Sequence, residues 1–558
     1  MVLTVLNSFG SFLHSLLAFV IILVPLVVFH EFGHFIMARL FNVKAEVFSV
    51  GFGPRIWGRQ WGETEFRISA IPLGGYVKLL GEDRDANISE VDLGRTLLRQ
   101  KPWKRFFIYL GGPLFNFILA VFIFMTMMAL GEPQVASVIG RVVKASQAEK
   151  LGFQSGDLIL ELDHKPVKRF DEVFYTLNEN PGKVLDFTIL HPGGTKPVTI
   201  SAQTTSHVGY SIYGESTAVG DIDGLVPAAR SNIVGISDSA SIAGKAGILT
   251  GDKILSINKI AVSTWEEIEG IYAKITPGSP FELAFEPQAH GQKKKGGVPL
   301  SWVKPAASLS LGDDFGLHSS ELFVEKTVEK SPAQQGGVKA GDRLVAIGGQ
   351  VVQSFFELKE AVQKSGEKEG KVELVGEREG KKYTLHLIPT ATQTRDQVLN
   401  PTVQYTIGVM PQLVFAEPAT FIERTLNPFT LIYKATERVV SFSWKNFVSL
   451  RKMITGAVSM GTIGGPISIG KIAGESLRRG LFAFLTSMAV FSIGLGVLNI
   501  LPVPVLDGGQ LLLLGIEMIR GKQLTLRQME IVQGVGLILI LALMGVAFHN
   551  DLARLFYS

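Results

Sequence analysis

The sequence predicts a polytopic α-helical membrane protein with four transmembrane helices, carrying a large soluble insert of three repeated α+β units. Three observations lead there. Several long runs hold no Asp, Glu, Lys or Arg. Between them, a segment of ordinary soluble composition repeats one short motif three times. Hydrophobic residues make up 46% of the chain against 19% charged, which excludes a disordered chain and tilts towards membrane.

The spans come first. At ~150 residues per domain, a chain of this length predicts roughly four units. Met1 to His30 carries no charged side chain, and it shows neither the basic start nor the cleavage site of a secretory signal. The apolar run Ser15–Leu40 is long enough to span, since about 20 residues cross a bilayer. Phe106–Leu130 and Leu481–Leu506 are uncharged, and Ile531–Phe548 is a shorter fourth run. The stretch Ile454–Gly470 is also uncharged but studded with Gly and Thr, so it reads as a loop or interfacial segment. Four spans put both termini and the segment between spans two and three on one side. The 41–105 loop is rich in basic residues, among them Arg55, Arg59, Arg67, Lys78, Arg99, Lys101, Lys104 and Arg105. The positive-inside rule therefore puts 41–105 and 507–530 in the cytoplasm, with the insert and termini outside it.

The insert repeats. Gly152-Phe-Gln-Ser-Gly156-Asp157 recurs as Gly247-Ile-Leu-Thr-Gly251-Asp252 and as Gly337-Val-Lys-Ala-Gly341-Asp342, at intervals of 95 and 90 residues. The glycines permit positive φ at a tight turn, and the Asp can bond nearby backbone amides. Three copies at domain spacing predict three homologous units. The pattern resembles the PDZ domain, which binds an extended peptide at a sheet edge. The run Lys293–Lys295 reads as a solvated loop.

The chemistry sits in the first span. In His30-Glu31-Phe-Gly-His34 the two imidazoles lie one helical turn apart and face the same way. They can share one zinc ion, with Glu31 placed to take a proton from the attacking water. Such groups are costly in hydrocarbon, by ~2.5–3.5 kcal/mol for a central Asp, so they point to a polar cavity or a metal. Arg39 lies about 13 Å further along the helix, which sets the site below the cytoplasmic surface. Zinc needs a third ligand and an open position. The second span offers only Asn116, and the fourth ends near His549 and Asp551 on the far side. The third ends at Asn499-Ile-Leu-Pro502-Val-Pro504-Val-Leu506-Asp507-Gly508-Gly509, with Asp507 at the same end as His34. Its prolines break the helix, which is tolerated where irregular backbone lines a buried site. Asp507 is the expected third ligand.

With these motifs the sequence resembles the site-2 proteases. His-Glu-Phe-Gly-His and Asn-x-x-Pro-x-Pro-x-Leu-Asp-Gly-Gly are that family's two signatures, and Pro72–Lys78, Gly111–Asn116 and Gly465-Pro466-Ile467 match as well. The resemblance implies a zinc intramembrane endopeptidase of the bacterial inner membrane. It carries the ligands over to His30, His34 and Asp507, the base to Glu31, and substrate binding to Asn499, Pro502 and Pro504. It implies a membrane-reentrant β region over about 43–80, on the cytoplasmic side. It also implies substrates that are single-span proteins already cut by a first protease, such as an anti-sigma factor, and remnant signal peptides.

The expected organisation is a first membrane half at 1–132, PDZ-like units at 133–213, 214–312 and 313–412, and a second membrane half at 413–558 that opens with an amphipathic segment. Expected partners are membrane protein substrates, lipid and peptide ligands of the PDZ-like units. The net charge of +4 is too mild for nucleic acid, and the absence of cysteine excludes disulfides, thiolate metal sites and a thiol nucleophile. The rivals are an inactive PDZ-bearing membrane scaffold, against which the intact Glu31 argues, and a metal transporter, which needs more polar spans than these.

Overall fold

The computed structural model describes residues 2–81, 88–211, 215–287, 297–308, 310–395, 401–412 and 414–557; the Lys293–Lys295 run lies outside them. Among the described residues four helices are long and apolar enough to cross a membrane: Leu13–Leu40, Pro102–Leu130, Leu481–Ile500 and Arg527–Arg554. The first belongs to helix α1 (Val2–Leu40), and the second is helix α2. They share a core with the helices that follow the insert. Ala18, Ile22 and Leu26 meet Leu119, Ile123 and Phe124, and Phe484 and Ile493 close the group.

Two expectations are corrected here. The third span ends at Ile500 rather than 506, and Asp507 opens a separate helix, Asp507–Arg520. Pro502 and Pro504 have no N–H to give an α-helix, which ends the span six residues early. The stretch 454–470 is only partly loop. A helix begins at Pro466 and runs to Arg479, against α1. Its free N-terminal amides are satisfied from far away: buried Asp551 accepts from the N–H groups of Gly465, Ile467 and Ser468.

The segment after α1 forms two long strands, β1 (Ala45–Trp61) and β2 (Thr64–Leu79). Val47 to Val50 pairs on both sides, with Lys78 to Gly75 in descending order and with Glu65 to Ile68 in ascending order. The hairpin is therefore folded over into a small sheet with 75–79 along one edge. Phe48 and Leu79 pack on Phe35 and Ala38 of α1, while Ile56, Trp57, Trp61 and Ile71 are exposed.

Among the described residues the insert contains three four-stranded sheets of one topology. Their strand orders are 165–166, 158–162, 184–190, 198–203; then 260–261, 253–257, 280–286, 298–303; then 350–351, 343–347, 372–378, 381–387. Each repeat motif makes the same turn. Asp157, Asp252 and Asp342 accept from the N–H three residues earlier, and all six motif glycines have positive φ. Each core is closed by a later strand. Leu225–Val226 pairs with Arg141–Val142, His318–Ser319 with Val234–Gly235, and Val409–Pro411 with Val324–Thr327. The first two closing strands lie beyond the boundaries expected at 213 and 312. Just before each is a glycine of positive φ, Gly224, Gly316 or Gly408. A Cβ there would come within 2.0, 2.4 and 2.2 Å of Ser146, Ser241 and Ser331, the serines that cap the short helix of each unit.

The insert is closed at its base. Glu132–Val135 pairs with Thr420–Glu423, and the chain then enters helix Pro428–Ile454. This helix packs Leu431, Ala435 and Val439 inward. One basic stripe holds the insert: Lys434 pairs with Glu423 and Arg438 with Glu132, both at 2.9 Å, Lys445 lies over Tyr175, and Lys452 pairs with Glu215.

Candidate metal centre

His30 and His34 stand one turn apart on α1, with ring centroids 4.9 Å apart. What aims them is α2. Nδ1 of His34 lies 2.8 Å from the Ile108 carbonyl. A carbonyl only accepts, so Nδ1 carries the proton and Nε2 keeps its lone pair. Nδ1 of His30 faces the Asn116 side-chain amide at 3.1 Å. Both Nε2 atoms then point the same way, 3.3 Å apart.

Glycines let the helices come this close. A Cβ on Gly33 would sit 2.2 Å from the Gly111 carbonyl oxygen, and one on Gly111 would sit 2.6 Å from that of Gly33. A Cβ on Gly112 would sit 2.3 Å from His34 Nε2 and 2.7 Å from His30 Nε2. Small residues at a helix crossing are the usual means of close approach in a membrane.

Asp507 comes from the other membrane half. Its Oδ2 is 3.1 Å from His30 Nε2 and its Oδ1 is 3.4 Å from His34 Nε2. The two glycines after it are required by the fold. A Cβ on Gly508 or Gly509 would lie 2.2 Å from the carbonyl oxygen of Ile500 or Val503, so the loop 501–506 can fold back onto the helix start only without side chains there. Buried Arg105 of α2 pairs with buried Glu517 at 3.0 Å and ties this helix down.

Glu31 lies against β2. The backbone of Val77 bonds its carboxylate, and Gly75 passes close to its Cγ. Asn499 Nδ2 is 3.5 Å from both ring nitrogens of His30. The other two expected substrate contacts are not at the donors. Pro502 is exposed on the loop, and Pro504 packs against Gly536 of the last helix.

The donor set fits a zinc ion. Tetrahedral zinc with bonds of about 2.0–2.1 Å sets its ligand atoms about 3.3–3.4 Å apart. The three separations here are 3.3, 3.1 and 3.4 Å. Among the described residues, His30, His34 and Asp507 form the one group of three or more His, Asp or Glu whose ligand atoms lie close enough to share an ion.

The sequence profile of Peptidase family M50 matches residues 18–543. The chain belongs to peptidase family M50. Its relatives align end to end. A Neisseria meningitidis protein, provisionally named a zinc metalloprotease, is 32% identical over 97% of this chain and 100% of its own length. The regulators of sigma-E protease of Escherichia coli and Salmonella typhimurium are 27% and 29% identical, each over 98% of this chain and all of their own. This M50 protein is thus a membrane metalloprotease of the site-2 type. The likeness to a solved PDZ-domain protein from Parabacteroides distasonis, with TM-score 0.12 and 10% identity over 49% of this chain and 95% of that one, is too slight to speak for the fold.

Sequence reasoning singled out His30, His34, Glu31 and Asp507 of this M50 site. It took Gly112 and Asn116 as part of the matching run Gly111–Asn116, with Asn116 also noted as the second span's polar residue, gave neither a role, and passed over the Ile108 carbonyl. The signal for Gly112 and Asn116 was Gly111-Gly112-Pro113 with Asn116 one turn beyond Gly112. Asp551, set aside as remote, is a helix cap.

Proposed function

We propose that His30, His34 and Asp507 hold a catalytic zinc ion and that Glu31 is the general base of intramembrane peptide hydrolysis. The convergence of three donors at ligand spacing, with a carboxylate one residue along, carries this reading. When bound, zinc lowers the pKa of water towards about 7 and polarises a carbonyl. Glu31 takes the proton of the attacking water and returns it to the leaving amine. Asn499, at the end of its helix, is placed to orient the scissile carbonyl. A helical substrate hides its carbonyls in i→i−4 bonds and must unwind. An extended segment would regain backbone partners along the 75–79 edge of the sheet, beside Glu31. Pro502 is exposed on the loop that leads from the third span to Asp507. Pro504 supports that loop rather than touching substrate.

The substrates on this reading are single-span proteins of the bacterial inner membrane trimmed by a first protease, an anti-sigma factor or remnant signal peptides among them. The three PDZ-like units and both termini lie outside the cytoplasm, and the active site lies towards it. Zinc and Glu31 cannot tell one peptide bond from another, so selection comes from access. The array of 133–412 acts mainly as a steric filter against bulky outer domains, with peptide binding secondary.

Glu31→Gln keeps the shape but cannot take a proton. It is expected to retain zinc and to lose cleavage of a pre-cut single-span substrate; turnover within tenfold of wild type would sink the assignment. Protease added from outside is expected to digest the array; digestion only from the cytoplasmic face would reverse the topology.

A further inference from the structure

Asn116 has a side chain that the mechanism above does not use. It is fully buried, with 0% exposure, in the middle of an apolar helix. Its Nδ2 lies 3.1 Å from Nδ1 of His30, and its Oδ1 has no hydrogen-bond partner at all. A buried amide oxygen without a partner costs about 1–3 kcal/mol. Its backbone is held separately, since the Ser492 hydroxyl donates to the Asn116 carbonyl at 2.7 Å.

The two imidazoles of the site are treated alike by α2. His34 presents Nδ1 to a backbone carbonyl, and His30 presents Nδ1 to Asn116. For His30 Nε2 to offer a lone pair to a metal, Nδ1 must carry the proton and needs an acceptor. The amide group is nearly symmetric in shape. Turning it over brings the orphaned Oδ1 to the position beside Nδ1, with no other movement. Asn499 is the more distant amide, with Nδ2 3.5 Å from both ring nitrogens of His30 against 3.1 Å from Nδ1 for Asn116.

We propose that Asn116 is the positioning residue of His30: its Oδ1 accepts from His30 Nδ1–H and so fixes the tautomer in which Nε2 binds the metal. This assignment rests on the metal-site reading above.

The test is zinc affinity of the purified full-length protein in detergent, measured by competition with a calibrated chelator, with the visible spectrum of the cobalt-substituted protein as a second readout. Asn116→Leu removes the acceptor and is expected to weaken zinc by about 10–100-fold. Asn116→Asp keeps an acceptor oxygen and is expected to bind zinc at least as tightly as wild type, with an unshifted cobalt spectrum. Wild-type affinity in the Leu variant, or equal losses in both variants, would overturn the proposal, the second because it shows a packing role. If the Leu variant does not fold, an Asp variant that folds but loses tenfold or more is itself the refutation. A wild-type chain that holds no zinc would overturn the metal reading instead, which keeps the two failures apart.

Discussion

Replacing Gly112 by alanine adds one methyl group and puts it where the two imidazoles are. An ideal Cβ at this position lies 2.3 Å from His34 Nε2 and 2.7 Å from His30 Nε2. Real Cβ atoms essentially never approach a neighbour closer than 3.0 Å, so His34 must move by at least about 0.7 Å, or α2 must back away. The second route would open the close Gly33–Gly111 contact and pull against Arg105, which anchors the start of α2 to Glu517. The imidazoles therefore yield. A shift of that size exceeds the ~0.5 Å tolerance of a preorganised site and the ±0.2 Å of a metal–ligand bond. We expect zinc affinity to fall by at least tenfold and cleavage to fall with it, while overpacking costs about 1–3 kcal/mol of stability. Zinc retained after dialysis against chelator buffers, together with turnover of a single-span reporter, measures both. A Gly112→Ala protein with wild-type zinc affinity and turnover would refute the reasoning, since it would mean that the space beside both Nε2 atoms is not needed.

Three further outcomes follow from the same structure. Asp507→Ala should lower bound zinc in the purified protein, and full occupancy would mean that another residue completes the donor set. Glu517→Ala leaves Arg105 buried without its partner and should cost about 3–5 kcal/mol; the double change Arg105→Met, Glu517→Leu should recover most of the lost thermal stability, and a double variant no better than the single would remove the pair from the account. In the array, burial and the neighbouring Arg343 push the His318 imidazole down to about 3, against a weak opposing pull from Asp313. The folded state then binds fewer protons than the unfolded one between about pH 6.5 and 3, so stability should fall through that window as pH drops, by at most about 1.4 kcal/mol per pH unit. His318→Gln should flatten this acid limb of the array's unfolding, and an unchanged limb would assign it elsewhere.

Much of the fold could be read from the sequence because it is written in residue types that have few alternatives. A charge-free run of 25 residues has little to be but a span, and Gly-x-x-x-Gly-Asp makes one turn three times over. What escaped was set by partners distant in sequence. The closing strands of the units are only two or three residues long, and their shared glycines stand in dissimilar company: Asp-Gly-Leu, Phe-Gly-Leu and Ile-Gly-Val. The helix from Pro466 looked like loop because the group that caps it, Asp551, lies more than eighty residues away. The site divides in the same manner. His30, Glu31 and His34 follow from helical spacing, and Asp507 from the broken span before it. Asn116 and the Ile108 carbonyl reach the histidines because Gly33 meets Gly111, and the run Gly111-Gly112-Pro113 does not by itself say which helix it will meet.

The paired strands at the base of the insert have a mechanical meaning. Glu132–Val135 and Thr420–Glu423 leave the membrane half side by side, and Arg438 and Lys434 clamp the two strands from below. The array is thus mounted on one stalk, not slung between two posts. Its length has no bearing on how far apart α2 and the helix from Pro428 stand, so units can be gained or lost without strain on the bilayer part. A sideways load on any unit arrives as torque on the stalk. From there it passes straight into the last turn of α2, about 21 Å along the helix from Asn116. Whatever leans on the array therefore has a lever on the helix against whose first half the two histidines rest.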